Sequence, residues 1–178
     1  MNTRLWVRAL LLVILMGIAV PSRPQEQSAP ENNVNQLAWM VGGKWKADGE
    51  KGPDGKPFHV EWSCKWGDNQ RNLKFTTWFL IDGKLVPVYD GIYAWHPVKK
   101  KFVFLYTDNE GNLTEGEAVV NGDRLEHDFH IVGTDGVTRP FRSTIIRHGA
   151  DYYGWNVQHE KDGVWTEMFA LKYERSRS

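Results

Sequence analysis

The side chains with chemistry to offer are a few histidines, one aspartate, two arginines and one thiol, and their spacing limits what they can do together. His127 alternates with Leu125, Phe129 and Ile131, so an extended chain puts all four on one face. A histidine among apolar neighbours can act as an axial haem ligand, as an acid–base group, or as a core residue with one satisfied hydrogen bond. His159 alternates with Tyr153, Trp155 and Val157 and carries the same three options. The run Glu126-His-Asp-Phe-His130 is the most metal-like, yet alternation sends His127 and His130 to opposite faces. Glu126, Asp128 and His130 share a face, where alternate residues stand roughly 7 Å apart, and this reads as a solvated outer surface rather than a metal centre. Asp90 lies beside Tyr89 and near Tyr93, as a buried hydrogen-bonding acid, a ligand-orienting group or an outward, solvated charge. Arg139 and Arg142 flank Pro140 and Phe141 on opposite faces, which leaves one of them as an inward anion partner or both as solvated charges. Cys64, between Trp62 and Trp66 on an apolar face, is expected to be neutral and inert, and as the single cysteine it has no internal disulfide partner. Ser143 and Thr144 show no histidine partner in the sequence, and His59, His96 and His148 read as outer-face or loop residues. The chain has no cysteine pair, no His-Glu-x-x-His, no phosphate-cradling glycine loop and no Gly-x-Ser-x-Gly. Asn112-Leu-Thr114 matches a glycosylation sequon, relevant only to a eukaryotic secretory route.

The elements that must position these groups are strands. From Gly43 onward the apolar period is two, and turn signals recur every ~8–12 residues. Phe58–Trp66 alternates cleanly, with Phe58, Val60, Trp62, Cys64 and Trp66 on one face. Asp82-Gly83 is a strong hairpin signal, and Pro87 marks an edge, a bulge or a strand start. About ten strands result, joined by connections too short for a crossover helix, so the sheet is antiparallel. Ten such strands leave two long edges unless the sheet closes, which predicts an all-β, up-and-down antiparallel barrel with a Greek-key sandwich as the alternative. Before it, Leu37, Met40 and Val41 fall on one face of a helical turn that Gly42-Gly43 terminates, a short plug helix stoppering one end. A barrel of this size either fills its interior or keeps a cavity. The candidate wall is Phe75, Phe79, Tyr89, Tyr93, Phe102 and Phe104, with Phe141 and Trp155 from later strands, suited to a flat or extended apolar ligand.

Composition narrows the partners. The 178 residues carry 22 basic and 22 acidic side chains, so no net field favours nucleic acid, an anionic membrane or a strongly charged substrate. Nine tryptophans, six tyrosines and eight phenylalanines suit strands and give a large apolar content. Arg4 and Arg8 followed by the apolar run Ala9–Val20 resemble a signal peptide and fall short of the ~20 residues that span a bilayer. Cleavage is expected after Ala19 or Ser22, without a cysteine for lipidation, and an uncleaved anchor is the alternative. The expected organisation is a signal peptide over 1–22, a flexible linker over 23–35 and a barrel domain over 36–175. The mature protein is then exported, periplasmic or extracellular, without stable membrane insertion.

Gly43-Lys44-Trp45 at the first strand, preceded by a short helix, resembles the calycin superfamily of lipocalin and fatty-acid-binding-like barrels. In that family the tryptophan closes the bottom of the barrel, which implies the role for Trp45, often under an arginine from near the last strand, for which Arg175 is the nearest candidate. Leu37–Trp45, Tyr89–Trp95 and Asp162-Gly-Val-Trp165 look like bacterial lipocalin-like families of unknown function, themselves similar to ten-stranded nitrobindin-type haem barrels. The resemblance to nitrobindin implies a proximal histidine late in the barrel, and His159 is the late-strand histidine here. The leading expectation is therefore an exported barrel that binds a small apolar molecule without catalysis and without a cofactor. The alternatives are a haem barrel acting on reactive nitrogen species, an isomerase or hydrolase using Asp90 and a histidine, and a purely structural envelope protein.

Overall fold

The computed structural model describes residues 33–50 and 55–176; the expected signal peptide and most of the expected linker lie outside them. Among the described residues a 3₁₀ helix, Asn33–Met40, precedes ten strands. These are β1 (Lys44–Gly49), β2 (Phe58–Trp66), β3 (Asn72–Ile81), β4 (Lys84–His96) and β5 (Lys101–Asp108). They continue as β6 (Leu113–Asn121), β7 (Arg124–Val132), β8 (Thr138–Arg147), β9 (Tyr152–Lys161) and β10 (Val164–Ser176). Each strand pairs antiparallel with its sequence neighbour, and β1 pairs antiparallel with β10 through Trp45↔Arg175, so the sheet closes into a barrel. Closure removes both free edges, which a sandwich would have kept.

Local sequence explains the joints. Asp82 and Gly83 both take positive φ (51° and 75°), as do Asp162 and Gly163 (53° and 77°), the pairing that a twisted two-residue hairpin turn requires. Pro87 sits opposite Trp78, where the β3–β4 register shifts in a bulge, so its missing N–H falls at an irregularity in the ladder. The helix differs from the expected amphipathic turn and opens at Asn33, inside the stretch expected as linker. Its buried residues are Val34, Leu37 and Met40, every third position, because a 3₁₀ helix eclipses i and i+3. Val41 lies beyond its end and is half-buried.

The core gathers at the helix end of the barrel. Leu37, Trp45 and Leu73 are fully buried, with Met40 and Phe102 each 1% exposed. Trp45 donates its indole N–H to the Met40 carbonyl (3.1 Å), and the Arg175 guanidinium lies 4.2 Å from the Trp45 ring centre. Arg175 also donates to the carbonyls of Gly42 (2.7 Å), Val41 (3.1 Å) and Trp39, joining the last strand to the helix end. Thus Trp45 and Arg175 form the arrangement expected of them. Trp39 lies edge-on to both Trp45 and Tyr153.

Candidate ligand-binding site

Above this floor the barrel keeps a cavity of about 330 Å³. Phe75, Phe79, Tyr89 and Tyr93 line it from β3 and β4, Phe104 and His127 from β5 and β7, and Phe141 and Trp155 from β8 and β9. Glycine makes part of the room. A Cβ on Gly91 would stand 2.5 Å from the Phe75 ring, which therefore lies directly against bare backbone, and one on Gly116 would stand 2.4 Å from the Phe129 Cβ, so the neighbouring strand also approaches too closely there for a side chain.

His127 is the polar centre of the cavity. It is 5% exposed, with Nε2 2.9 Å from the Tyr93 hydroxyl and Nδ1 3.1 Å from Ser143 Oγ. Ser143 is its direct cross-strand neighbour on β8. Tyr93 lies on β4, and the small Gly116 and Ala118 of the intervening β6 leave its ring space to reach His127. Burial disfavours the charged imidazole and brings His127 down to about 4. Burial likewise pushes the Tyr106 phenol up to about 12 and the Tyr93, Tyr153 and Tyr173 phenols well above their usual range. At neutral pH the site is a set of uncharged hydrogen-bonding groups in an aromatic wall.

Four expected site residues lie elsewhere. Asp90 alternates with Tyr89 and therefore faces outward, where it is exposed and accepts a hydrogen bond from Thr76 Oγ1 (2.6 Å); it is neither a buried acid nor within reach of a cavity histidine. Phe102 shares the inward face of Phe104 but lies deeper, packed on Trp95 (5.1 Å between ring centres), and fills the floor. Trp45 lies beneath the cavity, stacked on Trp62, which does line it. His159 pairs with Phe141 and is half-buried, yet it is not among the cavity-lining residues.

Other expectations fall into place by face. Arg142 pairs with Asp128 (2.9 Å) and lies over the Trp165 ring, while Arg139 pairs with Asp135, so neither offers a buried cation to the cavity. His130 meets Glu115 (2.9 Å) and Arg124 pairs with Glu126 (3.2 Å), so Glu126 and His130 of the metal-like run are engaged with neighbouring side chains. No metal-ligating cluster occurs among the described residues. Burial pushes the Cys64 thiol up to about 12. Ser143 corrects the sequence reading, since it does have a histidine partner. That contact needs the β7–β8 register, although Ser143 alternates with the inward Phe141 and could have been placed by phase. The Asn112 side chain of the sequon donates to Asp108 (2.7 Å) and accepts from the Thr134 amide (3.0 Å), which occupies both its polar atoms.

No family model and no curated protein matches the chain. Among solved structures, the crystal structure of Rv2717c from M. tuberculosis is similar, with a TM-score of 0.55 at 16% identity, covering 81% of this chain and 97% of that one. At that identity the likeness concerns the fold, and the protein is a closed ten-strand antiparallel barrel with a solved structural neighbour.

Proposed function

We propose that the protein is an exported, lipocalin-like barrel that holds a small apolar molecule in its interior without chemical conversion. The observation that carries this reading is the cavity of about 330 Å³ walled almost wholly by aromatic and aliphatic side chains. Its volume lies at the lower end of the range of small-molecule pockets, about 300–1,000 Å³, and three of its polar groups, Tyr93, His127 and Ser143, are hydrogen-bonded to one another, as an orienting set would be. Export rests on the basic and apolar N-terminal run, Arg4 to Val20.

The donor set fits an iron porphyrin poorly. Both ring nitrogens of His127 already have partners, and His159, although paired with the cavity-lining Phe141, does not itself line the cavity. An acid–base enzyme built on Asp90 has lost its acid to the outer surface.

The test is titration of the full chain with the neutral fluorophore N-phenyl-1-naphthylamine, beside a Val157→Trp variant that fills the cavity. Saturable fluorescence enhancement in the parent and its loss in the folded variant are expected. Equal enhancement in both proteins would place the probe outside the barrel and end the proposal. Purification in the presence of haem should give no Soret band that depends on His127.

A further inference from the structure

We propose that the ligand of this cavity is an uncharged molecule carrying one alcohol or carbonyl group, read by the Tyr93–His127–Ser143 relay, and that carboxylates are excluded. The inference rests on the cavity being the binding site and names the chemistry it selects.

The first argument is the missing counter-charge. Among the described residues that line the cavity there is no Lys, Arg, Asp or Glu. The arginines near the two ends are engaged, Arg175 with the carbonyls of Trp39, Val41 and Gly42, and Arg139 with Asp135. The one ionisable cation inside, His127, is held neutral by burial. A carboxylate brought into such a wall loses its hydration and meets no compensating charge, a penalty far larger than for a neutral polar group.

The second argument is the wiring of the relay. A neutral imidazole has one N–H donor and one bare acceptor nitrogen. If Nδ1 carries the proton, it donates to Ser143 Oγ, and Nε2 accepts the Tyr93 O–H; the Tyr93 oxygen is then left to accept a hydrogen bond. If Nε2 carries the proton, it donates to the Tyr93 oxygen, Ser143 donates to Nδ1, and the Tyr93 O–H is left to donate. Switching tautomer therefore turns Tyr93 from acceptor to donor without creating a charge. One site can serve either an alcohol, which donates, or a carbonyl, which accepts. Ser143 is 6% exposed and lines the same cavity, so both ends of the relay face the ligand space.

Equilibrium dialysis of the full chain at neutral pH against three probes of one shape tests this: naphthalene, 2-naphthol and 2-naphthoate. The expected order of affinity is naphthol, then naphthalene, with naphthoate weaker than naphthol by at least ~100-fold. In Tyr93→Phe the advantage of naphthol over naphthalene should fall about fivefold, with naphthalene binding retained. Naphthoate binding as tightly as naphthol overturns the exclusion of carboxylates, and a naphthol advantage that survives Tyr93→Phe overturns the relay. Failure of all three probes to bind overturns the ligand-binding reading itself, and the inference with it.

Discussion

His127 shows how one buried side chain ties stability to pH. Its imidazole is held at about 4 in the folded barrel against an ordinary value of 6.5. Between those values the unfolded chain binds a proton that the folded chain does not, so stability rises with pH across this window. The stabilisation is complete above about pH 6.5 and is lost as pH falls toward about 4, by on the order of 3 kcal/mol from this group. Urea midpoints measured at about pH 7 and about pH 5 should therefore drop further for the parent than for His127→Gln, and equal drops would remove His127 from the account. Cys64 makes the opposite kind of prediction. With its thiol pushed up to about 12 by burial, it should resist a thiol reagent at neutral pH until the barrel unfolds, so modification and loss of structure should share one rate under denaturing conditions.

At the scale of elements, the plug depends on the last strand as much as on its own apolar residues. A 3₁₀ helix of eight residues has little intrinsic stability, and its C-terminal carbonyls need partners. The Trp45 indole N–H takes the Met40 carbonyl, and Arg175, while covering the Trp45 ring, donates to the Trp39 carbonyl of the helix and to the Val41 and Gly42 carbonyls just past its end. Arg175→Ala leaves those carbonyls without this donor and is expected to cost about 2–4 kcal/mol, read as a lower urea midpoint. Arg175→Lys should recover only part of this, because one ammonium cannot reproduce a planar fork across three carbonyls. A loss below about 0.5 kcal/mol in Arg175→Ala would show that the helix is held by Val34, Leu37 and Met40 alone.

For the whole molecule, closure decides whether the sheet has edges. The β1–β10 ladder covers Lys44↔Ser176, Trp45↔Arg175 and Lys46↔Glu174, the pairing that joins the two ends of the barrel sequence. A chain ending after Tyr173 loses that ladder together with Arg175, and leaves β1, still paired with β2, and β10, still paired with β9, each with one open edge. It should elute as soluble aggregate on size exclusion and lose the single cooperative thermal transition expected of the parent; a monomer with an unchanged melting temperature would refute the role given to closure. Much of this architecture was legible from local patterns. Phe58–Trp66 alternates because one face is buried, Asp82-Gly83 and Asp162-Gly163 turn because both positions tolerate positive φ, and short connections force antiparallel neighbours. Alternation grouped the candidate wall residues with their face-mates, and the closed barrel turns Phe75, Phe79, Tyr89, Tyr93, Phe104, Phe141 and Trp155 toward the cavity. Depth was not legible, since Phe102 and Phe104 share a face and only the closed barrel shows that one fills the floor while the other borders the cavity. Nor was the relay, because Tyr93 reaches His127 across two intervening strands. A sequence determines which way a side chain points along its own strand, through a period fixed by backbone geometry. Which side chains meet across the barrel is decided only when ten strands take their register and the sheet curves shut.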